Sequence, residues 1–131
     1  MNDERYARGQ ARLAQIDGDA GRQAIDALDG VAPDLARYVI EFGFGDVYNR
    51  PGLDLRTREL ATVAALTALG HAQPQLKVHV NGALNVGCTP AEIIEVVIQM
   101  ALYAGFPAAL NAAASAKQVF AERGLLPLVT R

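Results

Sequence analysis

Residues 89–104 constrain the fold more strongly than any other part of this sequence. The tetrapeptide TPAE at residues 89–92 has the pattern of a capping box, with a threonine three residues before a glutamate and a proline at the first helical position. The residues that follow are apolar on nearly all sides of a helix axis, and Gly105 marks the end. We therefore predict a secure helix start at this point, leading into a helix at the centre of its fold.

The rest of the chain is predicted to consist of helices separated by glycine and proline. The alternating apolar and polar runs that strands require are missing. We place a break at residues 17–19, and we expect Leu35, Val39 and Phe42 to point inward, with Tyr38 as a further candidate. The prediction is one all-α domain over residues 1–131. Its helices are Asp3–Ile16, Ala20–Leu28, Pro33–Phe44, Leu55–Leu69, Pro74–Val86, residues 90–104 and Pro107–Arg123.

Composition excludes several classes of protein. With 131 residues, 51% of them hydrophobic and 20% charged, the chain is not typical of disordered sequences. A net charge of -2 argues against a nucleic-acid binder, and the single cysteine, Cys88, excludes an internal disulfide or a CxxC motif.

Residues 1–10 are polar rather than signal-like, and the most apolar region is interrupted by polar residues and proline, so we expect a cytoplasmic protein without a membrane span. A mean hydropathy of +0.13 is high for a small monomer and favours burial between subunits of a homo-oligomer.

Glu59 and His79 are the candidate acid–base residues. Glu59 shares a helix face with Val63 and Leu66, where a carboxylate is costly to bury unless it is paired or protonated. The alternative is a surface pair between Glu59 and Arg56, one turn earlier. His79 points towards the core beside small residues, and imidazole moves a proton readily near neutral pH. The alternative for His79 is a core histidine without a catalytic role.

Three arginines, Arg50, Arg56 and Arg58, lie close to a helix start and form a candidate anion pocket in an otherwise acidic chain. The alternative is scattered, solvated charge. Tyr48 and Tyr103 are candidate hydroxyl donors. A metal site is poorly supported, because His71 and His79 are separated by Pro74 and match no ligand spacing.

Two segments together resemble the carboxymuconolactone decarboxylase family. They are RPGLDLRTRELATVAALTALG at residues 50–70 and HVNGALNVGCTPAEIIEVVIQMALYAGFPAALNA at residues 79–112. The wider superfamily includes alkyl hydroperoxidase D-like proteins, whose CxxCxxxH motif would place cysteines at Ala72 and Gln75. Both cysteines are absent here, and the peroxidase mechanism with them. Where the family usually has tryptophans near the RPGL loop, this chain has Phe44 and Tyr48.

The resemblance implies an all-α fold assembled as a trimeric or hexameric homo-oligomer, with active sites near subunit contacts. It also implies cofactor-free loss of CO2 from 4-carboxymuconolactone, an anionic lactone. We then expect His79 to act as proton donor or oxyanion partner, and Glu59 to orient His79 or keep it charged. Substrate binding is expected from the three arginines together with Tyr48 and Tyr103. The alternatives are another carboxylated lactone as substrate, redox work by Cys88, or a helical oligomer without catalysis.

Overall fold

The structure of this chain, a computed structural model, describes residues 3–128. Among these residues every regular element is helical and no strand occurs, so the predicted all-α fold class is confirmed. None of these helices combines the length and the apolarity that a membrane span requires. The elements are α1 (Asp3–Asp26), α2 (Pro33–Tyr38), a π-helical segment (Val39–Val47), α3 (Leu55–Leu69), α4 (Gln73–Asn85), α5 (Pro90–Ala104) and α6 (Phe106–Glu122).

The described chain divides into two compact units, one ending at Leu55 and one beginning at Arg56. One domain over residues 1–131 stays a prediction, and residues 1–2 and 129–131 lie outside the described residues.

In the first unit, α1 packs against the π-helical segment. The predicted break in α1 is confirmed at Gly18, whose φ of 54° and ψ of -138° are not helical. The packing is close because Gly9 lacks a side chain: a Cβ at this position would overlap the carbonyl oxygen of Ile40. The two elements therefore approach at backbone distance.

The π-helical segment departs from the predicted helix Pro33–Phe44. Its backbone hydrogen bonds reach five residues back, as in the bond from the Tyr48 N–H to the Gly43 carbonyl at 2.9 Å. This wider turn changes which residues face inward, so Ile40 and Phe44 are buried. The predicted inward orientation is wrong for three side chains, which are more than half exposed: Leu35, Tyr38 and Phe42. Phe42 lies in the π-helical segment, whereas Leu35 and Tyr38 lie on α2, a six-residue helix that buries none of its residues.

In the second unit, α3 to α6 surround one apolar core. The bounds of α3 and α5 match the prediction, and those of α4 and α6 differ from it by one residue at each end. The predicted capping box is present: the Thr89 hydroxyl accepts from the Glu92 N–H at 3.1 Å, and the Thr89 N–H donates to the Glu92 carboxylate at 2.9 Å. The core includes Val63, Leu76, Val80, Ile93, Val97, Val119 and Phe120.

Only one side of α5 is covered by its own unit. Ile93 and Val97 are buried, whereas Ile98 and Leu102 are more than half exposed. The predicted central position of α5 therefore holds for one side of the helix within the described chain.

Candidate active site

Glu59 and His79 form a pair between α3 and α4. The carboxylate of Glu59 lies 2.9 Å and 3.2 Å from Nδ1 of His79 through its two oxygens. Glu59 is 0% exposed, on the same buried face of α3 as Val63. The imidazole keeps 18% of its side-chain surface exposed. The structure thus pairs a fully buried carboxylate with an imidazole ring that is partly exposed to solvent.

The burial of Glu59 fixes the chemistry of this pair. A fully buried carboxylate is strongly unfavourable unless an opposite charge or a hydrogen-bond donor compensates it. His79 provides that donor when Nδ1 carries a proton, which holds both for the imidazolium and for one neutral tautomer. The other ring nitrogen, Nε2, is then the atom that gains or loses a proton, as in other carboxylate–histidine pairs.

Arg56 does not pair with Glu59. Its Nη2 instead donates to the Glu92 carboxylate on α5, so the alternative of a surface pair between Arg56 and Glu59 is wrong. Glu92 also accepts from the Thr89 backbone, and this bond, with a smaller contribution from Arg56, lowers the pKa of that carboxyl below its ordinary value. Arg58 is half-buried on α3, directly before Glu59.

The remaining predicted binding residues have different settings. Tyr48, in the first unit, stacks its ring on Phe44 with centroids 5.2 Å apart. Arg50 is exposed on the turn that follows, where its N–H donates to the Val47 carbonyl at 3.1 Å. Tyr103, at the end of α5 in the second unit, is 75% exposed. All three keep their substrate-binding role as a prediction.

Cys88 is poorly suited to redox chemistry. Its thiol is buried and donates to the Arg56 carbonyl at 3.6 Å. Burial raises the pKa of the thiol above its ordinary value, and Arg56 offsets this only in part. Because the thiolate is the reactive form, this setting disfavours the redox alternative.

The family model for carboxymuconolactone decarboxylases matches residues 33–118 of this chain. The chain belongs to the carboxymuconolactone decarboxylase family. A 4-carboxymuconolactone decarboxylase from Acinetobacter baylyi is 35% identical over 97% of this chain and 96% of its own length. An uncharacterized 15.0 kDa protein from Paracoccus denitrificans, in the nqo9-nqo10 intergenic region, is 40% identical over 73% of this chain and 72% of its own length.

A third relative is a nitrosuccinic acid decarboxylase (npaB) from Metarhizium robertsii. It is 38% identical over 56% of this chain and 51% of its own length. Two of these three relatives thus carry the name of a decarboxylase. This member of the carboxymuconolactone decarboxylase family is therefore a carboxy-lyase.

Among the contacts of this family member that its sequence did not predict, two involve predicted site residues or their neighbours. Glu92 appears in the sequence only as part of a capping box, and its partner Arg56 lies 36 residues away. The second is a bond between Arg12 and Asn49, 37 residues apart. Local spacing carries no signal for either contact, because each depends on how two helical segments pack.

Proposed function

We propose that this carboxy-lyase removes CO2 from 4-carboxymuconolactone and releases β-ketoadipate enol-lactone, a step of protocatechuate breakdown in the β-ketoadipate pathway. The observation that carries this proposal is the buried Glu59 carboxylate against Nδ1 of His79. The relative from Acinetobacter baylyi, similar over nearly the whole chain, supports the choice of substrate. We also retain the cytoplasmic location predicted from the sequence.

The substrate can accept its own electrons. Its ring carboxylate is attached to a carbon that is conjugated through the ring alkene to the lactone carbonyl. When the bond to CO2 breaks, the electron pair moves through the alkene and places negative charge on the carbonyl oxygen. The resulting dienolate takes a proton on the ring carbon next to the carbonyl. This electron flow uses no metal, pyridoxal or thiamine.

In our proposal His79 supplies that proton from Nε2, or donates a hydrogen bond to the developing oxyanion. Glu59 is a positioning residue, because it holds Nδ1 and stabilises the charged ring without contacting the substrate. After each turnover, the neutral imidazole regains its proton from solvent through the 18% of its side-chain surface that is exposed. A buried acid with no such opening would stay deprotonated.

The substrate carries two carboxylates, and guanidinium groups bind carboxylates through two parallel hydrogen bonds. We assign this role to Arg58, Arg56 and Arg50. Arg58 adjoins Glu59 on α3. Arg56 shares its charge with Glu92, which makes it the weaker candidate. Arg50 and the hydroxyls of Tyr48 and Tyr103 remain part of the proposal because the sequence predicts them as binding groups.

We also propose that this enzyme works as a homo-oligomer, a trimer or hexamer. No charged residue occurs between Glu95 and Lys117, and monomers rarely expose large apolar patches. Tyr103 belongs to an exposed apolar surface formed by the end of α5 and the start of α6, so a second copy that packed there would cover a predicted substrate-binding residue. The large side chains that are more than half exposed here, and which we call the α5–α6 surface, are Ile98, Leu102, Tyr103, Phe106 and Leu110.

A second candidate substrate is another small carboxylated molecule. The nitrosuccinic acid decarboxylase among the relatives supports it, as do Phe44 and Tyr48 in place of the tryptophans usual in the family. The deciding experiment follows lactone absorbance and CO2 release with purified enzyme and 4-carboxymuconolactone, and repeats the CO2 measurement with nitrosuccinate. We expect one CO2 for each lactone consumed. CO2 from nitrosuccinate alone would replace our substrate assignment with the second candidate.

A further inference from the structure

The turn carrying Tyr48 and Arg50 is fixed from α1 by a chain of hydrogen bonds. Nη2 of Arg12 donates to Oδ1 of Asn49 at 2.8 Å. Nδ2 of Asn49 donates in turn to the carbonyl oxygen of Phe44 at 2.7 Å. The amide of Asn49 therefore uses both ends, one towards α1 and one towards the π-helical segment.

The π-helical segment creates the need for this bond. A helix leaves its last carbonyl groups without partners of its own, and hydrogen bonds that span five residues leave one more such group than those of an α-helix. In this chain α1 and the turn supply side-chain donors for two of these carbonyl groups. Nε of Arg8 donates to the Gly45 carbonyl at 2.9 Å, and Asn49 donates to the Phe44 carbonyl. Cations near a helix C-terminus are also electrostatically favourable.

Asn49 lies directly between Tyr48 and Arg50, so the orientation of its backbone sets the direction of both neighbours. The Tyr48 ring is further restrained by Phe44, the residue whose carbonyl Asn49 binds. Arg12 is itself held by Gln15, whose side-chain oxygen accepts from Nη1 at 2.7 Å. The chain of contacts thus begins on α1 and ends at Phe44, against the Tyr48 ring and within the turn that carries Arg50.

We propose that Arg12 and Asn49 are positioning residues for substrate binding, and that they orient Arg50 and Tyr48 towards the substrate's carboxylate. This inference rests on the proposed function, which assigns those two side chains to the substrate. An arginine held in advance binds its carboxylate more tightly, because less conformational freedom is lost on binding.

The test compares Arg12→Gln and Asn49→Ala with wild type. We assign Arg50 to the carboxylate that stays on the molecule, which is bound equally in the ground state and the transition state. Each variant should therefore raise KM for 4-carboxymuconolactone about tenfold and leave kcat within about twofold. The double variant should raise KM no further than Asn49→Ala alone, because both residues act through one chain of hydrogen bonds. Arg12→Lys, which retains one donor, should recover part of the lost affinity. Arg22→Gln, on the same helix and paired with nearby Asp19, is the matched control and should keep wild-type kinetics.

Amide hydrogen exchange provides a readout that is independent of activity. The N–H groups of Tyr48 and Arg50 donate to Gly43 and Val47, and both should exchange faster in Arg12→Gln than in wild type. If wild type does not decarboxylate the lactone, the proposed function fails, and hydrogen exchange alone decides whether the turn is held as described. Unchanged KM in both single variants of an active enzyme, or unchanged exchange at these two amides, would overturn the inference.

Discussion

Replacing Glu59 with glutamine removes the negative charge that lies against the His79 ring, and it nearly preserves the shape of the Glu59 side chain. Glu59 is 0% exposed and accepts from Nδ1 at 2.9 Å, so water cannot substitute for the lost charge. A hydrogen bond to a charged group contributes about 1.5–3 kcal/mol. Without that stabilisation a smaller fraction of His79 carries the proton that it donates, so kcat falls about 10- to 150-fold, since about 1.4 kcal/mol corresponds to a factor of ten.

KM for the lactone should stay near the wild-type value, because Glu59 acts through His79 and does not contact the substrate. The fold should also remain, because the glutamine oxygen can still accept the Nδ1 proton. Steady-state kinetics and a thermal melt by circular dichroism measure both expectations. Glu95→Gln, an exposed position on α5, is the matched control and should match wild type in kcat and melting temperature.

A kcat for Glu59→Gln within about threefold of wild type would refute this reasoning, because the charge on Glu59 would then contribute nothing at the rate-limiting step. A large fall in melting temperature with kcat preserved would give the pair a structural role only. Either outcome would remove Glu59 from the proposed mechanism.

Three further predictions concern other parts of the molecule. Cys88→Ser should decarboxylate at the wild-type rate, because burial raises the pKa of this thiol and disfavours its reactive form; lost activity would revive the redox alternative. The hydrogen bond from Arg5 lowers the pKa of Asp46, whose stabilising contribution is therefore present above its unfolded-state pKa and lost as pH falls through the folded-state value. Melting temperatures of Asp46→Asn and wild type should consequently differ at neutral pH and converge in strong acid, and a gap that persists there would contradict the pairing. Leu102→Glu, at a position 77% exposed on the α5–α6 surface, should reduce the mass measured by light scattering, whereas an unchanged mass would exclude this surface as the subunit contact.

The sequence predicted best the features that depend on local chemistry. The helix start at Thr89 follows from side-chain hydrogen bonds within four residues, and the structure contains both of them. The kink at Gly18 likewise follows from a residue that adopts positive φ without strain. Helical periodicity directed Glu59 and His79 inward on separate helices, and the structure joins them across those helices.

Features that depend on packing or on an unusual helical period were not predictable in this way. In the π-helical segment Phe44 is buried, whereas Phe42, predicted to face inward, is exposed, and a 3.6-residue period cannot represent that arrangement. The partner of Arg56 was missed for a different reason. Glu59 lies one turn away, but it is buried against His79, so Arg56 pairs with Glu92, a partly exposed carboxylate on another helix.

Turnover of 4-carboxymuconolactone by His79→Ala tests the central claim most directly. We predict that kcat falls by about 10²- to 10⁴-fold, the usual contribution of one positioned acid, while the circular dichroism spectrum stays that of wild type. His71→Ala, which removes an exposed histidine, is the control and should keep wild-type turnover. A folded His79→Ala enzyme that consumes the lactone at a near-normal rate would contradict the assignment of His79 as the proton donor.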